Sequence, residues 1–354
     1  MRMPLPPQLS DSKVSSPQLT AAAAEPTWSS LSTILCAVSQ CCAWDLDAPK
    51  HFASTKVLSI GGSRNIGYLS SVRLLEKGAS VTFLLRSPSC FDTDETIQKY
   101  VKSGKARLIK GDALVKTDVV RSWAEAAQGE GEQRVDVLLF TVGTIPSFSL
   151  TKGFGEQRVD VLLFTVGTIP SFSLTKGFVQ TPPNLVTQSL LNALSTIPSQ
   201  AIPPKIITIS STGLTKSSHA ALPLLLKPVY GHFLHIPHMD KVGAEKVAAH
   251  CAGWPWDAND GDVGADIMGE QWEETEGLPK GTLPDILVVR PALLTDGECQ
   301  ADAVAAKGKG TSYRVREGNF KSWTVSRKDV AHFLVEGALS EWDTWKGKCV
   351  SIGY

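Results

Sequence analysis

Lys56-Val57-Leu58-Ser59-Ile60-Gly61-Gly62-Ser63-Arg64-Asn65-Ile66-Gly67 is the stretch whose reading decides the fold. Lys56 to Ile60 is a short apolar run that reads as a buried strand, and the glycines after it turn the chain. Gly67 to Lys77 then carries Leu69, Val72, Leu74 and Leu75 on one helical face, and Val81 to Leu85 reads as the next strand. This is a β-α-β unit. Further strands are expected at Ala106 to Ile109, at Val135 to Phe140 or Val159 to Phe164, at Lys205 to Ser210 and at Ile286 to Val289. Nearly continuous apolar runs suit strands covered on both faces, so the predicted fold class is α/β, a doubly wound parallel sheet of Rossmann type in a single domain.

The turn itself suggests chemistry. Glycines let the backbone approach a pyrophosphate, whose charge rests against the outward-pointing amides of the following helix. Gly61, Gly62, Ser63, Arg64, Asn65, Ile66 and Gly67 are therefore candidate dinucleotide contacts, with an ordinary tight turn as the alternative. The middle glycine of the usual fingerprint is absent, and Arg64 or Asn65 stands there; asparagine tolerates left-handed backbone angles. NAD-binding chains place a carboxylate near the end of the second strand, but here that end reads Leu84-Leu85-Arg86-Ser87. Arg86 and Arg64 match a 2′-phosphate, so the expected cofactor is NADP(H), the alternative being two exposed surface arginines. Asp112, in Lys110-Gly111-Asp112-Ala113, stands where such sheets meet adenine, or caps a helix.

Gly131 to Phe154 and Gly155 to Phe178 spell the same 24 letters, GEQRVDVLLFTVGTIPSFSLTKGF, back to back. Repeat architectures show diverged periods over several units, so this reads as a recent tandem duplication or an error in the gene model. One copy is expected to form the central strand and the other to be surplus, exposing VDVLLF as an aggregation hazard. Identical sequences do not say which copy docks. Gly143 or Gly167 would border the cofactor accordingly.

Composition bounds the rest. The 354 residues are 42% hydrophobic, and 35 basic residues against 35 acidic ones give no pull toward nucleic acid or an anionic membrane. The seven cysteines are scattered without CxxC pairs, which suits a reduced, cytoplasmic setting and argues against zinc. No apolar run is long enough for a membrane span. Residues 1–50 are rich in proline, serine and alanine and read as a disordered arm. The acidic stretch 254–284, with Asp257, Asp260, Asp262, Asp266, Glu270, Glu273, Glu274 and Glu276, lacks the spacing of a calcium loop and reads as a solvated insertion, so no metal is expected.

GGSRNIG with LLRSP, KGDAL, VLLFTVG, ISSTG, the run Pro237 to Glu245, VVRPALLTDG and VSRKDVAHFL together resemble an atypical short-chain dehydrogenase/reductase of NmrA-like or flavin-reductase-like type. The resemblance covers about residues 55 to 354, interrupted by the second copy and the acidic insertion. It implies one Rossmann domain acting as an NADPH-dependent reductase on a small organic substrate, or a non-catalytic NADP(H) sensor. Oligomeric state and substrate stay open.

Members of that superfamily pair a proton-donating tyrosine with a lysine four residues on. Counting back from Lys241 reaches Pro237, so the acid is missing from its usual place. Tyr230 and His238 are the alternative proton donors. Lys241 serves catalysis or the nicotinamide ribose, or else forms a surface salt bridge to Glu245 with Asp240 capping the helix. Ser210, Ser211 and Thr212 follow an apolar strand at the carboxyl edge; the resemblance places a polarising serine there, and turn capping is the alternative. Pro291 and Leu293 resemble backbone contacts beside the nicotinamide. Ser326 to Asp329 has the form of a helix cap.

Overall fold

The apolar run at Lys56–Ile60 is an interior strand of a nine-stranded sheet in the computed structural model. The structure describes residues 52–129, 131–142, 158–167, 171–173, 177–197, 200, 202–225, 227, 234–308 and 312–354. In chain order these form β1 (Lys56–Ile60), α1 (Asn65–Glu76), β2 (Ser80–Leu85), α2 (Glu95–Lys102), β3 (Ala106–Lys110), α3 (Lys116–Ala126), β4 (Val137–Phe140) and β5 (Val161–Phe164). A small hairpin of β6 (Ser171–Ser173) and β7 (Gly177–Val179) leads to α4 (Leu185–Ser195), β8 (Lys205–Ile209), α5 (Lys216–Ala220), α6 (His235–Ala252) and α7 (Ala265–Met268). The chain closes with β9 (Leu287–Pro291), β10 (Leu293–Thr295), α8 (Gln300–Ala305), β11 (Arg314–Glu317), β12 (Thr324–Ser326), α9 (Arg327–His332), α10 (Trp342–Trp345) and β13 (Cys349–Gly353). The sheet order is β11-β13-β9-β8-β5-β4-β1-β2-β3, parallel throughout except for β11. This is the doubly wound α/β arrangement.

The expectation that one copy is surplus is overturned. Both docked copies are strands, side by side and in register: Val137 opposite Val161, Leu138 opposite Leu162, Leu139 opposite Leu163 and Phe140 opposite Phe164. An open sheet has no closure to violate, so a further strand enters wherever its two edges find partners and its two faces find cover. Both conditions hold. β4 pairs with β1 and β5 pairs with β8, and none of these eight side chains is more than 3% exposed. VDVLLF is therefore covered in both copies and is no exposed aggregation segment.

Alternation along the strands divides the core. Leu58, Ile60, Leu138, Phe140, Leu162 and Phe164 face Trp123 and α4, while Val57, Phe83, Val137, Leu139, Val161 and Leu163 face Leu74, Leu75 and Phe333. Residues Pro49–Tyr354 belong to one compact unit. The expected arm at 1–50 lies outside the described residues.

The acidic stretch is less solvated than expected. Asp257, Asp262, Asp266, Glu270, Glu273, Glu274 and Glu276 are exposed, but Val263, Ile267, Met268, Trp272 and Leu283 between them are buried in the core beside α4 and α6. Among the described residues no helix is long and apolar enough to cross a membrane.

Candidate functional site at the carboxyl edge

At the carboxyl end of β1 the chain turns through Gly61, whose φ of +81° is a left-handed conformation that an L side chain rarely adopts. Asn65 opens α1 at φ +56°, so the asparagine takes the left-handed angle expected of it. Gly67 lies against the end of β4, where a Cβ would stand 2.5 Å from Thr141 Cγ2. No side chain caps α1, and no acidic residue sits in its first turn. The first amides of such a helix are left for water or an anion, and the helix dipole favours negative charge there. Ser63 closes the turn by donating its N–H to Gly61 O at 2.9 Å. A cradle without side chains, ending in uncapped amides, fits a pyrophosphate.

Arg64 and Arg86 are both exposed, and neither forms an ion pair with the described residues. Arg64 stands just before α1 and Arg86 directly follows β2, so the two residues leave the ends of the neighbouring strands β1 and β2. Asp112 is not the cap of α3. Val115 holds that position, while Asp112 Oδ1 accepts from Leu114 N at 2.9 Å and its own N–H is held by Asp118. Of the two alternative glycines, Gly143 lies outside the described residues. Gly167 follows β5, exposed and with open space around it, one strand beyond the strand that touches the turn.

A second cluster gathers where β8, β9 and α6 meet. Ser210 donates its hydroxyl to Glu245 Oε1. Arg290 binds the same carboxylate from the other side, Nε to Oε1 at 2.9 Å and Nη2 to Oε2 at 2.5 Å. Glu245 is buried, 5% exposed, so an uncompensated charge there would be costly, and the arginine fork satisfies it. Lys241 donates to Ser210 O at 2.9 Å and Ile209 O at 3.4 Å. The surface salt bridge between Lys241 and Glu245 does not form, because Arg290 holds the carboxylate. Burial pushes the Lys241 amine down to about 8, opposed by the charges of Asp240 and Glu245.

Asp240 does not cap its own helix either. It is fully buried and accepts from Val186 N and Thr187 N, both at 2.8 Å, so it caps α4 from across the core. Gln180 also donates to it, at 2.6 Å. That bond fixes α6, and with it Lys241, against the sheet. His238 is held neutral: burial pushes its imidazole down to about 3, helped by the charges of Lys241, His219 and His235. Tyr230 lies outside the described residues. Ser211 is half-buried and turns its hydroxyl to Thr212 O at 3.2 Å, while Thr212 N bonds Pro291 O at 2.9 Å. Pro291 is buried in β9 and Leu293 is exposed. Ser326 caps α9 as expected, accepting from Asp329 N at 2.9 Å.

The site that emerges has two parts, an anion cradle on β1 and a Ser210–Glu245–Arg290–Lys241 cluster on β8 and β9. The first was visible in the sequence. Glu245 and Arg290 as partners were not, since only the contrast of a charged arginine at the end of an apolar strand hinted at them.

No family model matches the chain. The reductase pytE of Aspergillus terreus is 29% identical over 161 residues, 43% of this chain and 48% of that protein, so the chain spans about half the length of the curated relative it matches. Among solved structures, a short-chain dehydrogenase from Burkholderia cenocepacia in complex with NADP is 16% identical, with a TM-score of 0.41 over 86% of this chain and 98% of that one. YwfH, an NADPH-dependent reductase involved in bacilysin biosynthesis, is 14% identical, with a TM-score of 0.40 over 84% of this chain and 97% of the other.

Proposed function

We propose that the chain is an NADP(H)-dependent reductase of a small organic substrate, of the atypical short-chain dehydrogenase/reductase type. The observation that carries this reading is the glycine turn opening an uncapped helix, flanked by two exposed arginines, on the same sheet edge as the half-buried Lys241. Gly61 to Gly67 would hold the pyrophosphate, Arg64 and Arg86 the 2′-phosphate, and Asp112 would face the adenosine end. The bound nucleotide supplies a hydride. Lys241 then keeps a proton beside Ser210, where a substrate oxygen can take it, and its lowered affinity for that proton suits transfer near neutral pH. The match to a curated reductase over part of the chain supports the same class.

A second reading is a non-catalytic NADP(H) sensor of NmrA-like type. The Ser210 hydroxyl supports it, being engaged by Glu245 and not free to polarise a carbonyl. Turnover separates the two. NADPH consumption against a panel of aldehydes, ketones and quinones supports the reductase, and saturable NADPH binding without consumption supports the sensor.

A further inference from the structure

After β1 the chain winds outward through β2 and β3, then returns to the other side of β1 with β4. The strand order reverses between β1 and β4, and ligands of such sheets sit in the crevice outside that point. Thr141, at the end of β4, forms one wall of it, since its methyl group packs on Gly67 and its hydroxyl donates to Ile60 O at 3.0 Å. Ser210 and Lys241 lie at the end of β8, and β8 does not touch β4. The second copy stands between them as β5, paired with β4 on one side and β8 on the other. Thr165, the twin of Thr141 on that strand, makes no such bond, and its buried hydroxyl is unpartnered.

We infer that the second copy is a spacer strand that holds Ser210 and Lys241 one strand too far from the nucleotide crevice, so that the chain as written binds NADP(H) but turns substrate over slowly. This rests on the nucleotide site proposed above. The copies are identical, so a chain with one of them has the same edges available, β1 to one side and β8 to the other, and β8 moves inward by about 4.8 Å. A shift of that size is large for catalysis, where a misplacement of about 1 Å costs up to about a hundredfold. Removing either copy leaves the same protein, because the 24 residues are repeated without change.

The test uses the full chain and the chain lacking Gly155 to Phe178. Spin labels attached through keto amino acids at exposed Ser89 and His235 avoid the seven cysteines and report the width of the sheet between them. The shortened chain is expected to show a separation smaller by about one strand spacing and a turnover of aldehydes and quinones at least about tenfold higher. An unchanged separation, or a shorter one without faster turnover, overturns the spacer. Should the shortened chain not fold, Leu139→Pro and Leu163→Pro decide the matter in the full chain. A proline inside a docked central strand removes a ladder bond, which is why proline is found essentially only on edge strands or at bulges, so both are expected to lower Tm alike, and silence of either overturns the proposal. Absence of NADPH binding by both chains refutes the nucleotide site, whereas the spin-label and proline results still judge the strand.

Discussion

Phe140 and Phe164, the same position in two identical segments, stack ring on ring across neighbouring strands with centroids 5.8 Å apart and planes at 23°. Each fills the core between β1 and β8, and each is fully buried. Equal burial predicts equal cost. Phe140→Ala and Phe164→Ala should each lower the unfolding free energy by about 3–5 kcal/mol in urea titrations, with the double variant departing from additivity because the rings touch. A chain in which one copy carried no load would tolerate one of the two changes.

Arg64 and Arg86 should set the choice of cofactor. Loss of a charge-assisted bond to phosphate is worth about 1.5–3 kcal/mol, so Arg86→Gln and Arg64→Gln are each expected to weaken NADPH binding by about ten- to a hundredfold. NADH binding should hardly change. Calorimetric titration with both nucleotides checks this, and equal losses for the two would remove the arginines from the 2′-phosphate.

The Lys241 amine, lowered to about 8 by burial, should shape the pH profile. The proton it holds is present below pH 8 and absent above it, so the rate of NADPH-dependent reduction should fall as pH rises through about 8. Lys241→Arg, which stays charged, should shift that fall to higher pH if it retains activity. Stability moves in the opposite sense: the unfolded lysine keeps its proton up to about 10.4, so alkali between these values favours the folded chain.

His238 should make the protein acid-sensitive. Its imidazole is neutral in the fold down to about 3, against 6.5 for a free histidine, so the unfolded chain binds the extra proton between these values. Stability is then lost as pH falls below 6.5, by about 2 kcal/mol at pH 5. His238→Gln should flatten this part of the profile in thermal melts from pH 7 to pH 5. The same shift weakens the case for His238 as an acid, since it carries no spare proton near neutrality.

The β1 turn was legible because every signal in it is local: an apolar run, a glycine obliged to take positive φ, and a helical period after it. What escaped the sequence was non-local. Asp240 caps a helix that begins 55 residues earlier, at Leu185, and Glu245 finds Arg290 45 residues later; spacing along one helix suggested nearer partners for both. β11 was missed because it is a short, exposed edge with charged side chains, and β13, as long as β1 and with Val350 and Ile352 buried, was passed over. The argument from the duplication failed on a physical point. Doubling a strand is forbidden in a closed barrel of fixed geometry, whereas this open sheet accepts one more strand whose neighbours are its own copy and β8.

The most direct measurement is calorimetric titration of the full chain with NADPH, beside NADH and beside Gly67→Val, whose side chain would collide with Thr141 at the cradle. Saturable NADPH binding, weaker for NADH and lost in Gly67→Val that still melts cooperatively, is the result predicted. No NADPH binding by a folded full chain, or binding that Gly67→Val leaves intact, would contradict the carboxyl-edge nucleotide site.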